Sequence, residues 1–401
     1  CHCPLMVVAM YCSWAPPSLD KNFLAGWYFV VVALGMWSWE QVLIATQAGT
    51  VECYPYKEER VVVEACNVAF TAAGVSIAVV LIAVAYQFEL AEHAEIRTAL
   101  GLACGGIGLL SLPSAYALCD ARQLSNASAV PAFLRSIGEV MRDSAFRWLA
   151  AENVVSGIAG GTLTSFFLYY FTFVCRLKDS EISKFVVVIP VLGLAMQSLC
   201  AIFWGKFYAS KGRTPRGWTV AGRVVDAIAS FAIISSSTSI EGFLLWFCVN
   251  RVAQSPRSFW SISARGWVID EDSHRVEGRR RESLFTGVAS AIGKVATLLG
   301  SALIAGQALA GIDTTRDRTF EQPASGVLYI RCMYMVVLPV LYLLQAYCIW
   351  NFPIKGARLE RLEEQQAKSF RAVRRDRLRS DGVVRKEKPG SGTTKGNSLY
   401  A

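Results

Sequence analysis

Apolar residues in this chain fall in long, nearly unbroken runs separated by short polar gaps, not in the one-faced stripe of a water-soluble helix. The pattern predicts helices that are apolar all round. The runs are Pro4 to Ala15, Phe23 to Ala48, Val61 to Phe88, Ala99 to Leu118, Ala150 to Cys175 and Phe185 to Trp204. They continue with Val220 to Ser236, Gly242 to Ile262, Leu284 to Ala310 and Val327 to Phe352. A helix needs about 20 apolar residues to cross the hydrocarbon core of a bilayer. The first run is too short for that, and no basic-then-apolar signal peptide precedes it. The expectation is an all-α polytopic membrane protein of ten spans, counting a first one that begins inside its helix.

Charge placement sets the expected topology. Of 401 residues, 53% are hydrophobic and 18% charged, below the roughly 25% of a soluble domain, and mean hydropathy is +0.37. The net charge of +9 sits in alternate gaps. One gap holds Lys57 and Arg60; the next holds Arg122, Arg135, Arg142 and Arg147; a third holds Lys206, Lys211, Arg213 and Arg216; a fourth holds Arg265, Arg275, Arg279, Arg280 and Arg281. The intervening gaps are acidic or mixed, with Glu89, Glu92 and Glu95, then Asp179 and Glu181, then Asp313 and Asp317. The positive-inside rule therefore predicts basic loops and C-terminus in the cytosol, of a plasma or organelle membrane. The basic balance is membrane topology, so no nucleic-acid partner is expected; the partners are a small solute and the bilayer, and the protein is expected to be a monomer.

The gap from Cys119 to Leu149 divides the chain. Within it Phe133, Leu134, Ile137, Val140, Met141 and Phe146 recur at helical spacing, predicting an amphipathic helix on the cytosolic surface. Four spans precede it and six follow, so a parent of six plus six needs two further helices at the front: about ten of twelve are present. The expected units are 1–118 (remainder of a first bundle), 119–149 (central loop), 150–352 (six-helix second bundle) and 353–401 (basic tail). In the tail Leu359, Leu362 and Val373 are too sparse for a core.

Charged groups inside apolar runs carry the chemistry, because burying them costs several kcal/mol. Lys294 lies mid-run, flanked by Gly293, Thr297 and Gly300. It is either a substrate or ion-coupling contact facing a central cavity or half of a structural ion pair. Glu40 lies beside Trp37, Trp39, Gln41 and Gln47, a combination that suits sugar rings, whose C–H faces stack on aromatics while hydroxyls take hydrogen bonds; an interfacial aromatic belt reads the same way. Asn250, Arg251, Gln254 and Arg257 form a polar face on one run, facing an anionic substrate or pairing with carboxylates; Asp226 and Arg223 make such a pair by themselves. The stretch Asp270 to Glu282, with Asp272, Arg280 and Arg281, reads as a charged latch whose expected partners are Glu58 and Glu59, since the ligand spacing of a calcium loop is absent. The twelve cysteines lie mostly in apolar runs as packing residues, and Cys1-His2-Cys3 lacks a second zinc-ligand pair. No nucleophile triad or phosphate loop occurs, so neither enzyme activity, metal nor cofactor is expected. Asn126-Ala127-Ser128 is a sequon expected to face the cytosol, unused.

The stretch Asp270 to Gly306, IDEDSHRVEGRRRESLFTGVASAIGKVATLLGSALIAG from Ile269 onward, resembles the signature of the glycoside–pentoside–hexuronide:cation symporters, the melibiose-permease branch of the major facilitator superfamily. The matching positions are Asp270, Gly278, Arg280 or Arg281, Glu282, Phe285, Gly287 and Lys294. Weaker matches are Glu52 with Glu59-Arg60, Gly205 to Gly212, Gln322-Pro323 and Pro339. The resemblance implies a two-bundle transporter moving a sugar or glycoside with a coupling cation, sodium or proton, by alternating access. It implies roles for Lys294 in coupling and for Asp270, Arg280, Arg281, Glu282, Glu59 and Arg60 in a cytosolic gate. Two family positions depart: the fourth-helix aspartate falls near Leu43, one turn from Glu40, and the fifth-helix arginine near Asn67 or Val68. Transport of an anionic, amino-acid-like or lipid solute, or a non-transporting receptor or scaffold, are the alternatives.

Overall fold

In the computed structural model the described residues are 3–14, 16–17, 20–54, 59–71, 74, 133–177, 179–209, 214–275, 281–312, 322–366 and 368. The run Ala99 to Leu118, most of Val61 to Phe88, the sequon, Glu58 and Arg280 lie outside them. Among the described residues every regular element is helical. Helix α1 is Cys3–Trp14, α2 is Lys21–Cys53, α3 covers 59–71 and α4 is Phe133–Met141. Helix α5 is Ser144–Tyr169, α6 Asp179–Ala209, α7 Arg216–Ser236, α8 Ile240–Arg275 and α9 Glu282–Ala302. Helix α10 is built from Ala324–Cys332 and Leu338–Asn351 around one π-helical turn. A separate unit, 355–401, contains helix α11 over 357–366.

Six described stretches are long and apolar enough to cross a membrane: Gly26–Ile44, Ser144–Val174, Val191–Tyr208, Arg216–Ser236, Leu284–Leu309 and Ala324–Asn351. The predicted run Gly242 to Ile262 is not among them. It belongs to a 36-residue helix, about 54 Å long at 1.5 Å per residue, made polar by Asn250, Arg251, Gln254, Arg257 and Arg265. Many of those groups point into protein, as lipid requires.

Two devices shape the packing of α5, α9 and α10. Gly157 and Gly161 of α5 meet the backbone of α9 directly: a Cβ at Gly161 would run into the Thr297 carbonyl, and one at Gly157 would lie 2.6 Å from the Gly293 carbonyl. Reciprocally, a Cβ at Gly300 would collide with the Ile158 carbonyl. Small residues four apart let two helices touch where no hydrophobic drive separates protein from lipid. The second device is a pair of π turns, Tyr170–Val174 after α5 and Met333–Val337 within α10. They bring the Tyr170 and Tyr334 rings to 5.0 Å, with Phe243 and Trp246 closing the aromatic core.

The α5–α9 crossing makes a sharp prediction. Gly161→Val should lower the thermal unfolding midpoint in detergent micelles, at a cost of about 2–3 kcal/mol. Gly160→Ala, whose Cβ meets nothing within 4 Å, should not lower it. Equal midpoints for the two variants would remove the crossing from the account.

Candidate functional site

Charged and polar side chains meet along the face of α8 and α9 turned towards α2 and α3. Deepest is Lys294 of α9. Its Nζ lies 2.5 Å from Glu40 Oε1 of α2, and Ser290 Oγ donates to Glu40 Oε2 at 2.8 Å. Glu40 is largely buried, its side chain 16% exposed, while Lys294 is 51% exposed. The Lys294 side chain thus has its counter-charge on one side while remaining half-exposed. Trp37, one turn before Glu40 on the same side of α2, is half-exposed.

One layer on, Arg257 of α8 holds Glu152 of α5 with both carboxylate oxygens, at 2.6 and 3.2 Å. Glu152 is fully buried, and a buried carboxylate left alone would cost several kcal/mol. Beyond it, Arg265 of α8 donates to Gln47 of α2. Beyond that, Arg60 of α3 donates from Nη2 to Asp270 Oδ2 at 3.0 Å and from Nε to the Tyr54 carbonyl at 2.7 Å. Arg60 is only 1% exposed because its guanidinium lies against Gly266, where a Cβ would collide with Nη1.

The charged end of this ladder closes on Asp272. Arg281 donates to both its oxygens, at 3.0 and 2.7 Å, and Arg275 to one at 2.9 Å. Hydrogen bonding to the Asp272 carboxylate raises the pKa of both guanidinium groups, holding them as cations. Arg281 also reaches Glu139 of α4 at 3.1 Å, and Arg275 reaches Asp143 at 3.2 Å. Asp143 at the same time caps α5, accepting from the Ala145 and Phe146 amides. The expected partner Glu59 is exposed; Arg281 meets Asp272 and Glu139 instead. Glu282 is buried at the start of α9.

Some expected site residues stand elsewhere. Asn250 donates to Asp226 Oδ1 at 3.1 Å and to Tyr342 Oη at 3.2 Å, and Gln254 donates to Asn250 at 2.6 Å. With the Arg223–Asp226 pair at 3.2 Å, they form a polar knot among α7, α8 and α10, not on the ladder face. Arg251 stacks its guanidinium over the Phe247 ring at 4.6 Å, a cation–π contact, and is within electrostatic reach of Asp226. Glu152, Ser290, Glu139 and Asp143 were missed by sequence reasoning. Glu152 carried the same signal as Lys294, a charge within an apolar run, but close to the run's start it resembles an interfacial residue.

The geometry defines a class: an integral, multi-pass helical membrane protein whose charged side chains pair between helices. Residues 2–356 match the family model described as MFS/sugar transport protein, and the chain belongs to that family. No curated protein sequence matches it.

Gly266→Ala should displace Arg60 and weaken the Arg60–Asp270 contact, lowering stability by about 1–3 kcal/mol. In an Arg60→Ala background the same substitution should cost less than half as much, measured by thermal unfolding; an undiminished cost would mean that Gly266 serves something other than Arg60.

Proposed function

We propose that the protein is a secondary transporter that moves a small uncharged polar solute, a sugar or glycoside, by cation-coupled symport and alternating access. The observation that carries this reading is the Lys294–Glu40 pair joining α9 to α2 at mid-span with the lysine half-exposed. A half-exposed pair between two helices can separate without leaving a fully buried unpaired charge, the cost that breaking an enclosed pair would carry. A neutral solute fits the charges of the face: Lys294 is matched by Glu40, Arg257 by Glu152, and Arg265 has Glu64 of α3 within electrostatic reach. The pairing of Arg257 removes half of the argument for an anionic solute. Trp37 beside Glu40 supplies an aromatic face of the kind on which sugar rings stack.

In this reading the arginine-rich end is cytosolic, by the positive-inside rule. Arg60–Asp270 and the Asp272 cluster hold the cytosolic side shut, and solute and cation arriving at Lys294 and Glu40 release it. A coupling cation competes with Lys294 for the Glu40 carboxylate.

Lys294→Ala in proteoliposomes, supplied with a panel of radiolabelled neutral glycosides and a sodium or proton gradient, should abolish uphill accumulation while membrane insertion stays normal. Lys294→Arg should not restore it, since a planar fork cannot replace a compact ammonium. Accumulation at the parent rate by Lys294→Ala would make the lysine structural and defeat the proposal.

A further inference from the structure

Helix α8 contains a proline, Pro256, in its interior. Proline has no N–H, so the Val252 carbonyl four residues earlier loses its helical donor. The structure supplies a substitute: Ser255 Oγ donates to the Val252 carbonyl at 2.6 Å. That hydroxyl is itself held from outside, accepting from Trp204 Nε1 of α6 at 2.7 Å. The break in the α8 ladder is thus pinned by a two-bond chain, Trp204 to Ser255 to Val252. On the α7 side, Thr219 Oγ1 donates to the Pro256 carbonyl at 3.2 Å, and Gly222 lies against the Ala253 carbonyl.

The two halves of α8 are anchored differently. Before Pro256, Trp246 donates to Ser230 of α7, and Asn250 to Asp226 and Tyr342. Beyond Pro256, Arg257 stays tied to Glu152 of α5 next to the joint, and Asp272 is held by Arg281 at the start of α9; Arg265 is bonded to Gln47 of α2 and Asp270 to Arg60 of α3. The half before Pro256 is tied to α7 and α10; the half beyond it alone carries contacts to α2 and α3. Beside the break is an open apolar groove of about 480 Å³, lined by Val252, Ala253 and Pro256 together with Trp204 and the exposed Trp218 and Ala221.

We infer that α8 is a jointed lever: its half beyond Pro256 swings about the Val252–Pro256 segment into the adjacent groove, and the swing separates Asp270 from Arg60. The Trp204–Ser255–Val252 chain is the pin that sets how readily the joint opens. A proline within a transmembrane helix is tolerated where a hydroxyl re-satisfies the freed carbonyl, and here that hydroxyl is shared with a second helix, so α6 and α8 are coupled at the joint. The inference concerns how the ladder opens and is independent of which solute crosses.

Hydrogen–deuterium exchange of the full chain in phosphatidylcholine nanodiscs, with no solute added, tests this. In the parent protein the amides of 252–258 and those of 61–64 on α3 should exchange together. Pro256→Ala, which restores the N–H, and Ala221→Phe, which fills the groove from its exposed side, should each slow both segments at least tenfold. Ser255→Ala, which removes the pin, should quicken both several-fold; this conservative change keeps the test decisive if a bulkier variant folds poorly. Parent-like exchange in all three variants overturns the joint. A change confined to 252–258, with 61–64 unaffected, overturns the lever.

Discussion

A charge carried into a bilayer has to bring its counter-charge with it, and the architecture of this protein follows from that. Leaving a carboxylate or ammonium unpaired at mid-span costs several kcal/mol, comparable with the whole stability margin of a folded domain. Glu40, Glu152 and Lys294 therefore fix which faces of α2, α5 and α9 turn inward. Glu152 commits α5 to Arg257 of α8, Glu40 commits α2 to α9, and Asp270 commits α8 to Arg60 of α3. Apolar packing alone would leave these helices free to rotate, since lipid is as good a neighbour for leucine as leucine is.

The pairs are not equivalent. Glu152–Arg257, between α5 and α8, is enclosed on its acidic side, so it serves as a fixed strut. Lys294–Glu40 joins α9 to α2, and Arg60–Asp270 joins α8 to α3. The proposed alternating access needs contacts of both kinds: struts that hold helices together as a body, and bridges that break when such bodies rock. The glycine-mediated α5–α9 crossing belongs with the struts, and it brings Lys294 to its position by seating α9 directly on α5.

Much of this was legible in the sequence. The runs of apolar residues located the helices, and Lys294 stood out as a lysine within one of them, with Glu40 as a carboxylate within another. Arg223–Asp226, three residues apart on one helix, was readable for the same reason that any such pair on one face is. What stayed hidden depended on rotation and distance between helices. Asn250 and Arg257 are two turns apart along one polar stripe, yet one faces Tyr342 and the other Glu152; a hydropathy pattern does not separate them. The partner of Arg281 was misassigned because its true neighbour Glu139 sits on the amphipathic α4, whose depth at the surface no local pattern encodes.

The central claim is that Lys294 and Glu40 act as one bridge between α9 and α2. A double-mutant cycle of Lys294→Ala and Glu40→Gln, read by thermal unfolding in lipid nanodiscs, measures it directly. The account predicts that the second substitution costs little once the first is made, with a coupling of at least about 1 kcal/mol. Additive losses, with the double variant destabilised by the full sum of the singles, would contradict it.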